Sequence, residues 1–442
     1  MSARPQATFA IAMGAVWYPF DVYDNVPRPA LVRAEGSYLY ADGGTAYLDA
    51  IGSWWVCLHG HNHPRLLAAL EAQARQMDQV IYAGFTHAPA EQLGDALVNL
   101  YPGAHKCFYS DDGSTAVEVA LKLALHAQQR QGRPVATGVL TLANSYHGDT
   151  IGAMSAAEQG LFTHPYAAYL FAARTLRLPY TTDIDSPATA ADDAAVAEAE
   201  AAFATGTLAA FICEPLVQGA GGMRFYRTDT LRRIWQAARR HGVYVIADEV
   251  MTGFGRTGRL FAAEHLGLAP DLACLSKGLT GGMLPLGVTL ASAEIWALFE
   301  GAPVPDRFLH GHSFTANPII CAVALASLRL LQEPAEQARR QAHYQNLAAL
   351  ARRLHGRPGF KNVRHLGGIV ALELEAPGVQ GYLNAAGPRA YALAMAEGVL
   401  LRPLGNTLYL LPPYCITESE LDRCAHVLDL IRRRIALAEP AP

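Results

Sequence analysis

The chain has 442 residues, of which 51% are hydrophobic and 17% are charged, a composition typical of a globular protein with more than one domain. The formal net charge of −4 gives no strongly basic surface, so we expect neither nucleic acid nor an anionic membrane as a partner. No apolar run reaches the ~18 residues that a membrane span needs.

Cysteine usage indicates a reducing compartment. The seven cysteines are scattered, none forms a CxxC pair, and several lie in apolar segments such as FICEP and LACLSK. An apolar stretch at 9–17 follows Arg4, but it is shorter and less basic at its start than a typical signal peptide. We therefore predict free buried thiols and a cytoplasmic protein.

The first predicted elements are short strands. Residues 30–51 alternate between polar and apolar side chains and turn at Gly36, which predicts a small β-meander. The segment SWWVCLHGHNHP follows, and its alternating histidines resemble metal ligands on one face of a strand. Gly60 and Pro64 indicate a loop instead, and no cysteine or carboxylate completes a site, so we predict no metal.

A strand that ends at Tyr109 is followed by a long helix that opens with Gly113, Ser114 and Thr115. Free N–H groups, hydroxyl donors and the positive end of the helix dipole make this pattern a candidate phosphate site. Ordinary capping by serine or threonine explains the same residues. A further strand, GVLTLA, leads to Tyr146, which is either a stacking platform for a flat ring or a tyrosine at an element boundary.

Three apolar runs end in polar residues at regular intervals. The runs LAAFIC, VYVIA and LACL are followed by Glu214, Asp248 and Lys277, at spacings of 34 and 29 residues. Each spacing is close to the ~30 residues of one βαβ unit. Because ligands bind outside the carboxyl ends of parallel strands, we expect the three side chains at one rim of a sheet.

The lysine at this rim is unusual for the chain. Arginine supplies nearly all the positive charge, and Lys277 is one of four lysines. An amine can form a Schiff base and a guanidinium cannot, so a reactive amine is one explanation. A surface lysine at a strand end is the other.

The segment GFGRTG at 253–258 matches the GxGxxG pattern of dinucleotide-binding proteins. Such a site needs the glycines directly between a strand and a helix, with an acid ~20 residues later at the next strand end. Here Asp248 already follows the strand, and the next strand leads to Lys277. We therefore do not predict a nicotinamide cofactor.

The division of the chain follows from a change in composition near residue 333, where helical, arginine-rich sequence begins, followed by strand-like segments. We predict an N-terminal segment, 1–55, that joins a small C-terminal α+β domain, 331–442, with a large domain at 56–330. Arg402 precedes Pro403 at a strand end. Its bidentate fork suits a substrate carboxylate, although surface arginines are common.

Taken together, the candidates are an amine, a buried acid, a helix start for a phosphate and an aromatic plate. Pyridoxal phosphate (PLP) requires this set: an amine to anchor it, a carboxylate at the ring nitrogen, a phosphate site and a ring partner. We predict PLP as the cofactor.

The sequence also resembles a known family, the class III (ω-) aminotransferases of PLP fold type I, over nearly its whole length. The pattern DEV…GFGRTG…PD…SKG is highly specific for that family. The other matching segments are WYPF, SWWVCLHGHNHP, AGFTHAPA, YSDDGSTAVEVALK, YHGDT, EPLVQGAGGMRFY, HGHSFTANP and RPLGNTLYLLPPY. The resemblance implies an α/β fold with a large domain built on a mostly parallel, seven-stranded sheet and a smaller α+β domain. It also implies a homodimer with two active sites at the interface.

By matching motif, the resemblance assigns the catalytic roles to Lys277 as cofactor anchor and proton shuttle, to Asp248 at the ring nitrogen and to Tyr146 stacked on the ring. The remaining matches are residues that contact the cofactor or the substrates: Gly113, Ser114, Glu214 and Ser313 for the cofactor, the last from the partner subunit, and Trp54, Phe20 and Arg402 for the substrates.

The sequence departs from the family at three places. Phe20 stands where many members have a tyrosine whose hydroxyl contacts substrate, and Asn406 stands where a lysine often lies near Arg402. HGHSFT also replaces HGPTFM but keeps a hydroxyl. The resemblance implies ping-pong transamination between an amino donor and a ketone.

Four other functions remain as alternatives at this point. An ω-aminotransferase for a diamine, 4-aminobutyrate or a β-amino acid is disfavoured by the tryptophan pair and Arg402. An aminomutase or racemase would need no separate donor. A nicotinamide oxidoreductase rests on GxGxxG alone, and a non-enzymatic scaffold is disfavoured because Lys277 and Asp248 are both present.

Overall fold

The structure is a computed structural model that describes residues 16–20, 28–160, 162–378 and 381–438. Most of the apolar stretch 9–17, which the sequence analysis compared with a signal peptide, lies outside the described residues.

Within these residues the strands are β1 Leu31–Glu35, β2 Tyr38–Ala41, β3 Ala46–Asp49, β4 Ala104–Ser110, β5 Gly138–Leu142, β6 Arg174–Leu176, β7 Leu208–Cys213, β8 Val217–Gln218, β9 Arg224–Phe225, β10 Tyr244–Asp248, β11 Leu272–Leu275, β12 Gly287–Ser292, β13 Phe360–Leu366, β14 Ile369–Leu374, β15 Val399–Leu400 and β16 Thr407–Leu410.

The helices are α1 Gly52–Trp55, α2 Pro64–Ala74, α3 Ala88–Leu100, α4 Gly113–Arg130, α5 Ile151–Ser155, α6 Ala190–Phe203, α7 Thr228–Arg240, α8 Ala263–Leu266, α9 Ala293–Ala297, α10 Pro318–Gln332, α11 Pro334–Leu354, α12 Ala386–Ala396 and α13 Glu418–Ile431. Short 3₁₀ turns lie at His164–Tyr169, Lys277–Thr280 and Val304–Asp306, and a π-helical turn at Arg432–Ala436 extends α13.

A seven-stranded sheet with the order β4-β12-β11-β10-β7-β5-β6 forms the centre of the large domain. The neighbours from β11 through β10, β7 and β5 to β6 all run parallel, whereas β12 runs antiparallel to both β11 and β4. This architecture confirms the prediction of an α/β fold with a mostly parallel sheet.

The central strands are apolar along their whole length because helices cover both faces of the sheet. Every residue of β7, β10 and β11 is buried. Ile212 and Ile246 pack on the α4 side, whereas their neighbours Phe211 and Val245 belong to the core on the side of α6 and α7. The period of two along each strand therefore divides the core into two layers.

The N-terminal meander is present as predicted, with β2 antiparallel to both β1 and β3. β3 also pairs in parallel with β15, near the C-terminus of the chain. The strands β13, β14 and β16 form a separate antiparallel sheet. The shared sheet of β3 and β15 supports an N-terminal segment that joins the C-terminal domain, and the boundaries near 55 and 330 stay predictions.

Among the described helices, none alone combines the length and the apolar character that crossing a membrane requires. Only α10 and α11 together, which meet at a bend of 71°, satisfy those two criteria as a pair.

The GFGRTG segment is a series of turns between β10 and α8, and it connects distant segments of the chain through hydrogen bonds. Arg256 within it is 1% exposed. Its guanidinium donates to the carbonyl groups of Trp55 and Cys57, at 3.2 and 3.1 Å, and of Leu411 and Pro412, at 3.4 and 2.9 Å. One buried side chain thus ties the large domain to an N-terminal and a C-terminal segment.

We predict that Arg256→Ala lowers the free energy of unfolding by about 3 kcal/mol or more, because buried carbonyl groups lose a charged donor. Arg256→Lys should recover only part of this loss, since one ammonium cannot reach all four carbonyl groups. Calorimetric unfolding measures both. Arg259→Ala, three residues along the same segment and exposed, is the control and should change stability by less than about 1 kcal/mol. Equal effects at 256 and 259 would contradict this role.

Candidate active site

Three polar residues at the carboxyl ends of β7, β10 and β11 meet at one cavity. Because these strands are parallel neighbours, their carboxyl ends lie at the same edge of the sheet. Glu214, Asp248 and Lys277 all line a cavity of about 660 Å3 at this edge. The structure therefore brings together the residues that the spacing of the three apolar runs placed at one rim.

Asp248 is held by a histidine that the sequence analysis did not single out. The Asp248 carboxylate is 4% exposed, and its Oδ2 lies 2.6 Å from Nδ1 of His147. Its Oδ1 accepts a hydrogen bond from the backbone N–H of Val250 at 3.1 Å. These donors stabilise the charged carboxylate in a buried place. The available signal was the position of His147 directly after Tyr146 in YHGDT.

Glu214 faces the same cavity with a different protonation behaviour. It accepts hydrogen bonds from the backbone N–H groups of Gly219 at 2.6 Å and Tyr146 at 3.3 Å. Burial is the largest cause of a rise in the pKa of Glu214 to about 7, a rise that His147 opposes and the charge of Asp248 increases. The site thus contains two acids with distinct surroundings, and near neutral pH Glu214 is an available proton donor or acceptor.

Lys277 begins the short helical turn after β11 with a backbone φ of 44°, in the left-handed region that favours glycine. Such conformations in side-chain-bearing residues are held in place by their surroundings and concentrate at functional sites. Nζ lies 5.1 Å from the centre of the Trp55 ring. Burial lowers the pKa of Lys277, against the opposing charges of Asp248 and Glu214. A lowered pKa increases the fraction of neutral, nucleophilic amine.

The start of α4 favours the phosphate interpretation over simple capping. The side chain of Asp112 caps the helix by accepting from the N–H of Thr115, and Thr115 completes the capping box. The capping role is therefore already filled. Ser114 instead lies at the cavity, with its Oγ 2.7 Å from Oγ1 of Thr150.

Gly113 is required by close packing. A Cβ at this position would lie 2.6 Å from Cγ1 of Val250, so the backbone at the helix start can approach the cavity only without a side chain. Helix N–H groups and two hydroxyl groups, those of Ser114 and Thr150, consequently surround a space with the chemistry of an anion site.

Tyr146 lies along the same cavity and is oriented by Asp149. Its hydroxyl donates to Oδ2 of Asp149 at 2.8 Å, while its backbone N–H is bound by Glu214. Both ends of the residue are therefore fixed, which suits a side chain whose ring face contacts a flat ligand. Asp149 is a second residue that the sequence analysis did not single out.

The predicted substrate residues meet in an adjoining cavity of about 300 Å3 that also reaches Lys277. The guanidinium carbon of Arg402 lies 4.4 Å from the centre of the Trp54 ring, and the ring of Phe20 lies 5.6 Å from that of Trp54. Arg402 is thus a cavity residue, which argues against the simple surface role. Phe162 and Tyr382 complete the aromatic wall, and the sequence motifs did not indicate either.

Two of the singled-out residues lie elsewhere. Ser313 is exposed and lines a separate cavity, where its carbonyl group accepts from the Gln79 side chain at 2.8 Å. Asn406 is buried and supports the backbone: its side chain accepts from the N–H of Gly381 and donates to the carbonyl of Leu374.

The three alternating histidines have different partners. His59 lies 3.0 Å from the hydroxyl of Ser327, and His63 caps the start of α2. His61 lies 2.8 Å from a carboxylate oxygen of Asp49. Among the described residues, no group of three or more His, Cys, Asp or Glu side chains is arranged to hold a metal ion.

The arrangement fits PLP. The cavity provides an amine with a lowered pKa, a carboxylate for a protonated ring nitrogen, an aromatic side chain fixed at both ends and a glycine-lined helix start with two hydroxyl groups. The separate aromatic cavity that ends at Arg402 provides space for a substrate beside the amine.

Comparisons with known proteins agree with this geometry. The family model of the class-III aminotransferases matches residues 21–431. The adenosylmethionine-8-amino-7-oxononanoate aminotransferase of Synechococcus elongatus is 46% identical, over 94% of this chain and 98% of its own length.

Two solved structures have the same fold. The adenosylmethionine-8-amino-7-oxononanoate aminotransferase of Methanocaldococcus jannaschii has a TM-score of 0.88 and 31% identity, over 95% of this chain and 97% of that one. A PLP-bound amine transaminase from an uncultivated Pseudomonas species has a TM-score of 0.88 and 30% identity, over 96% and 99%.

We predict that Lys277→Arg abolishes retention of PLP through gel filtration and lowers turnover by roughly 10³-fold or more, because a guanidinium can neither anchor the cofactor nor exchange a proton near neutral pH. The visible absorbance of the eluted protein measures retention. Lys106→Arg, an exposed lysine, is the control and should behave as the unaltered protein. A Lys277→Arg protein that keeps its cofactor and rate would refute the role of the amine.

Proposed function

This chain belongs to the class III aminotransferases, and from that premise we propose that it converts 8-amino-7-oxononanoate to 7,8-diaminononanoate with S-adenosylmethionine as the amino donor. This is a step of biotin biosynthesis. The chain is a PLP-dependent aminotransferase. The relative with 46% identity over nearly its full length carries the name of this reaction, and that likeness is the observation that supports the substrate assignment most strongly.

Four features of the described residues support this cofactor assignment. Lys277 would anchor it, Asp248 would pair with its ring nitrogen, and Tyr146 would lie against its ring. The start of α4, with Gly113 and Ser114, would hold the phosphate. When bound, PLP supplies an electron-withdrawing ring that stabilises negative charge at the carbon bearing the amino group.

The proton transfer belongs to Lys277. Its amine removes a proton from the donor carbon and returns a proton at the acceptor carbon, and the lowered pKa favours the neutral form that begins this exchange. His147 keeps Asp248 oriented, because its Nδ1 lies 2.6 Å from Oδ2 of that carboxylate. The amino group moves from donor to acceptor, the donor becomes a ketone, and no external oxidant is needed.

The aromatic cavity suits the chemical structure of the proposed acceptor. 8-Amino-7-oxononanoate has an aliphatic chain between a carboxylate and its ketone. Trp54, Phe20 and Phe162 form an apolar wall for such a chain, and the cavity extends from Lys277 to Arg402. We propose that Arg402 binds the carboxylate, which then leaves the ketone end at the reactive amine.

A second candidate donor is a simple amine. Phe20 favours it, because a cavity with phenylalanine at this position is more apolar than one with the tyrosine of many family members. The amine transaminase from Pseudomonas, with a TM-score of 0.88, also favours it. The two candidates differ in the amino donor and share the cofactor chemistry.

The experiment incubates the holoenzyme and 8-amino-7-oxononanoate with S-adenosylmethionine or with 1-phenylethylamine, and mass spectrometry detects 7,8-diaminononanoate. We expect product with S-adenosylmethionine at a rate well above that with the amine. Product with the amine alone would establish the second candidate. No diaminononanoate with either donor would overturn the acceptor assignment, while conversion of phenylethylamine with pyruvate would still identify the enzyme as an aminotransferase.

We also propose a cytoplasmic homodimer with active sites at the interface. All seven cysteines are free, as suits a reducing compartment. Near the HGHSFT loop, Leu309 is 69% and Phe314 is 59% exposed, and Ile81 at the neighbouring cavity is 65% exposed. An exposed apolar surface of this kind is typical of an interface between protein chains. Ser313 on this surface would contact the phosphate in the partner subunit.

We predict that Ser313→Ala weakens PLP binding about tenfold, because a hydrogen bond to a charged group is lost, and leaves the dimer intact in gel filtration. Ser419→Ala, at another exposed serine, is the control.

Mixed dimers of Ser313→Ala and Lys277→Ala chains distinguish the subunits. If Ser313 acts across the interface, one site in each mixed dimer contains both native residues and binds PLP with native affinity. If it acts within its own chain, every site has a defect, and the proposal fails.

A further inference from the structure

The turn that carries the two active-site tryptophans is organised by one buried carboxylate. Asp49 is the last residue of β3 and is 0% exposed. Its Oδ2 accepts from the backbone N–H of Ser53 at 2.6 Å, and its Oδ1 accepts from that of Ile51 at 3.2 Å. The carboxylate therefore determines how the chain leaves the sheet and enters the active site.

This turn needs such support because its backbone is strained. Ser53 has a φ of 59° and Trp55 a φ of 68°, both in the region that favours glycine. These conformations persist only where surrounding contacts fix them. Two kinds of contact fix this turn. Asp49 accepts hydrogen bonds from its backbone, and the indole N–H of Trp55 donates to the Tyr409 hydroxyl at 3.0 Å.

His61 holds the other side of the same carboxylate. Its Nε2 lies 2.8 Å from Oδ2 of Asp49, and its side chain is 14% exposed. The backbone of His61 exchanges two hydrogen bonds with Gly36, at 3.1 and 2.8 Å, so the imidazole is attached to the hairpin of β1 and β2. The pair thus connects the tryptophan turn to the N-terminal sheet.

The same sheet positions Arg402. Asp49 is paired with Leu400 across β3 and β15, and the N–H of Ala50 donates to the carbonyl of Leu400 at 3.3 Å. Arg402 follows two residues later and lies over the ring of Trp54 at 4.4 Å. The tryptophan and the arginine therefore approach the cavity from two adjacent strands that meet at Asp49.

We propose that Asp49 and His61 are positioning residues that hold Trp54 against Arg402, and that this pair sets the preference of the enzyme for acceptors that carry a carboxylate. The proposal rests on the role of Arg402 in the proposed function. It gives His61 a function other than metal binding, and it requires neither residue to touch the substrate.

The test compares 8-amino-7-oxononanoate with its methyl ester in Asp49→Asn holoenzyme. Asparagine has the shape of aspartate but only one acceptor oxygen. In the native protein the N–H groups of Ile51 and Ser53 each bind a different carboxylate oxygen of Asp49. We expect KM for the carboxylate substrate to rise about tenfold while its kcat changes by less than about twofold, and KM for the ester to stay unchanged. The Kd of nonanoate, measured by calorimetry, should rise in parallel with KM for the carboxylate substrate. Equal losses for acid and ester, or no change in their ratio, would overturn the proposal.

His61→Phe is the second variant, and it tests the positioning role of the pair even if Asp49→Asn does not fold. It keeps a ring of similar size and removes the contact with Asp49, so the preference for the carboxylate should fall severalfold in the same direction. His63→Phe, two residues along the loop and without contact to Asp49, is the matched control and should leave the preference unchanged. An unchanged preference in His61→Phe would overturn the shared role of the pair.

Arg402→Met separates this proposal from the proposed function. If Arg402→Met abolishes the preference while Asp49→Asn and His61→Phe retain it, the positioning role is wrong and the carboxylate site stands. If Arg402→Met retains the preference, both the carboxylate site and the positioning role are wrong.

Discussion

The structure depends on three adjacent parallel strands that end at one edge of a sheet. β7, β10 and β11 are neighbours, and their carboxyl ends carry Glu214, Asp248 and Lys277. Because the strands are buried on both faces, their positions are determined by the core and not by the site. A rigid apolar core thereby presents Glu214, Asp248 and Lys277 to one cavity.

Placing charged groups at the end of a buried sheet is unfavourable unless each has a partner. Asp248 has two such partners, His147 and the backbone N–H of Val250. Glu214 has backbone donors alone, and burial raises its pKa to about 7. The burial that disfavours both carboxylates also lowers the pKa of Lys277, so the same environment that holds the site together prepares the amine for proton transfer.

Much of this arrangement could be predicted from the sequence because it follows from local patterns. Apolar runs of strand length, each followed by a polar residue, were sufficient to place Glu214, Asp248 and Lys277 at one rim. The helix start at Gly113 left two explanations open, and only the structure shows that Asp112 already caps the helix. His147 was not predicted because its contact with Asp248 joins residues 101 positions apart.

The connections between distant segments were likewise beyond the sequence pattern. GFGRTG drew attention to its glycines, whereas its arginine holds carbonyl groups more than 150 residues away. The histidines of HGHNH suggested a shared ligand, but each has a separate partner, and His61 belongs with Asp49. Residue type and spacing indicate local chemistry, while the choice of partner across the fold is decided by packing.

We propose that this cavity uses Lys277 to take an amino group from S-adenosylmethionine. The most direct measurement is an absorbance titration of the purified holoenzyme with S-adenosylmethionine in the absence of any acceptor. We expect the visible band of bound PLP to be replaced by the near-ultraviolet band of the aminated cofactor, at one equivalent of donor per active site. A bound cofactor whose spectrum S-adenosylmethionine leaves unchanged, while another amine converts it, would contradict the donor assignment.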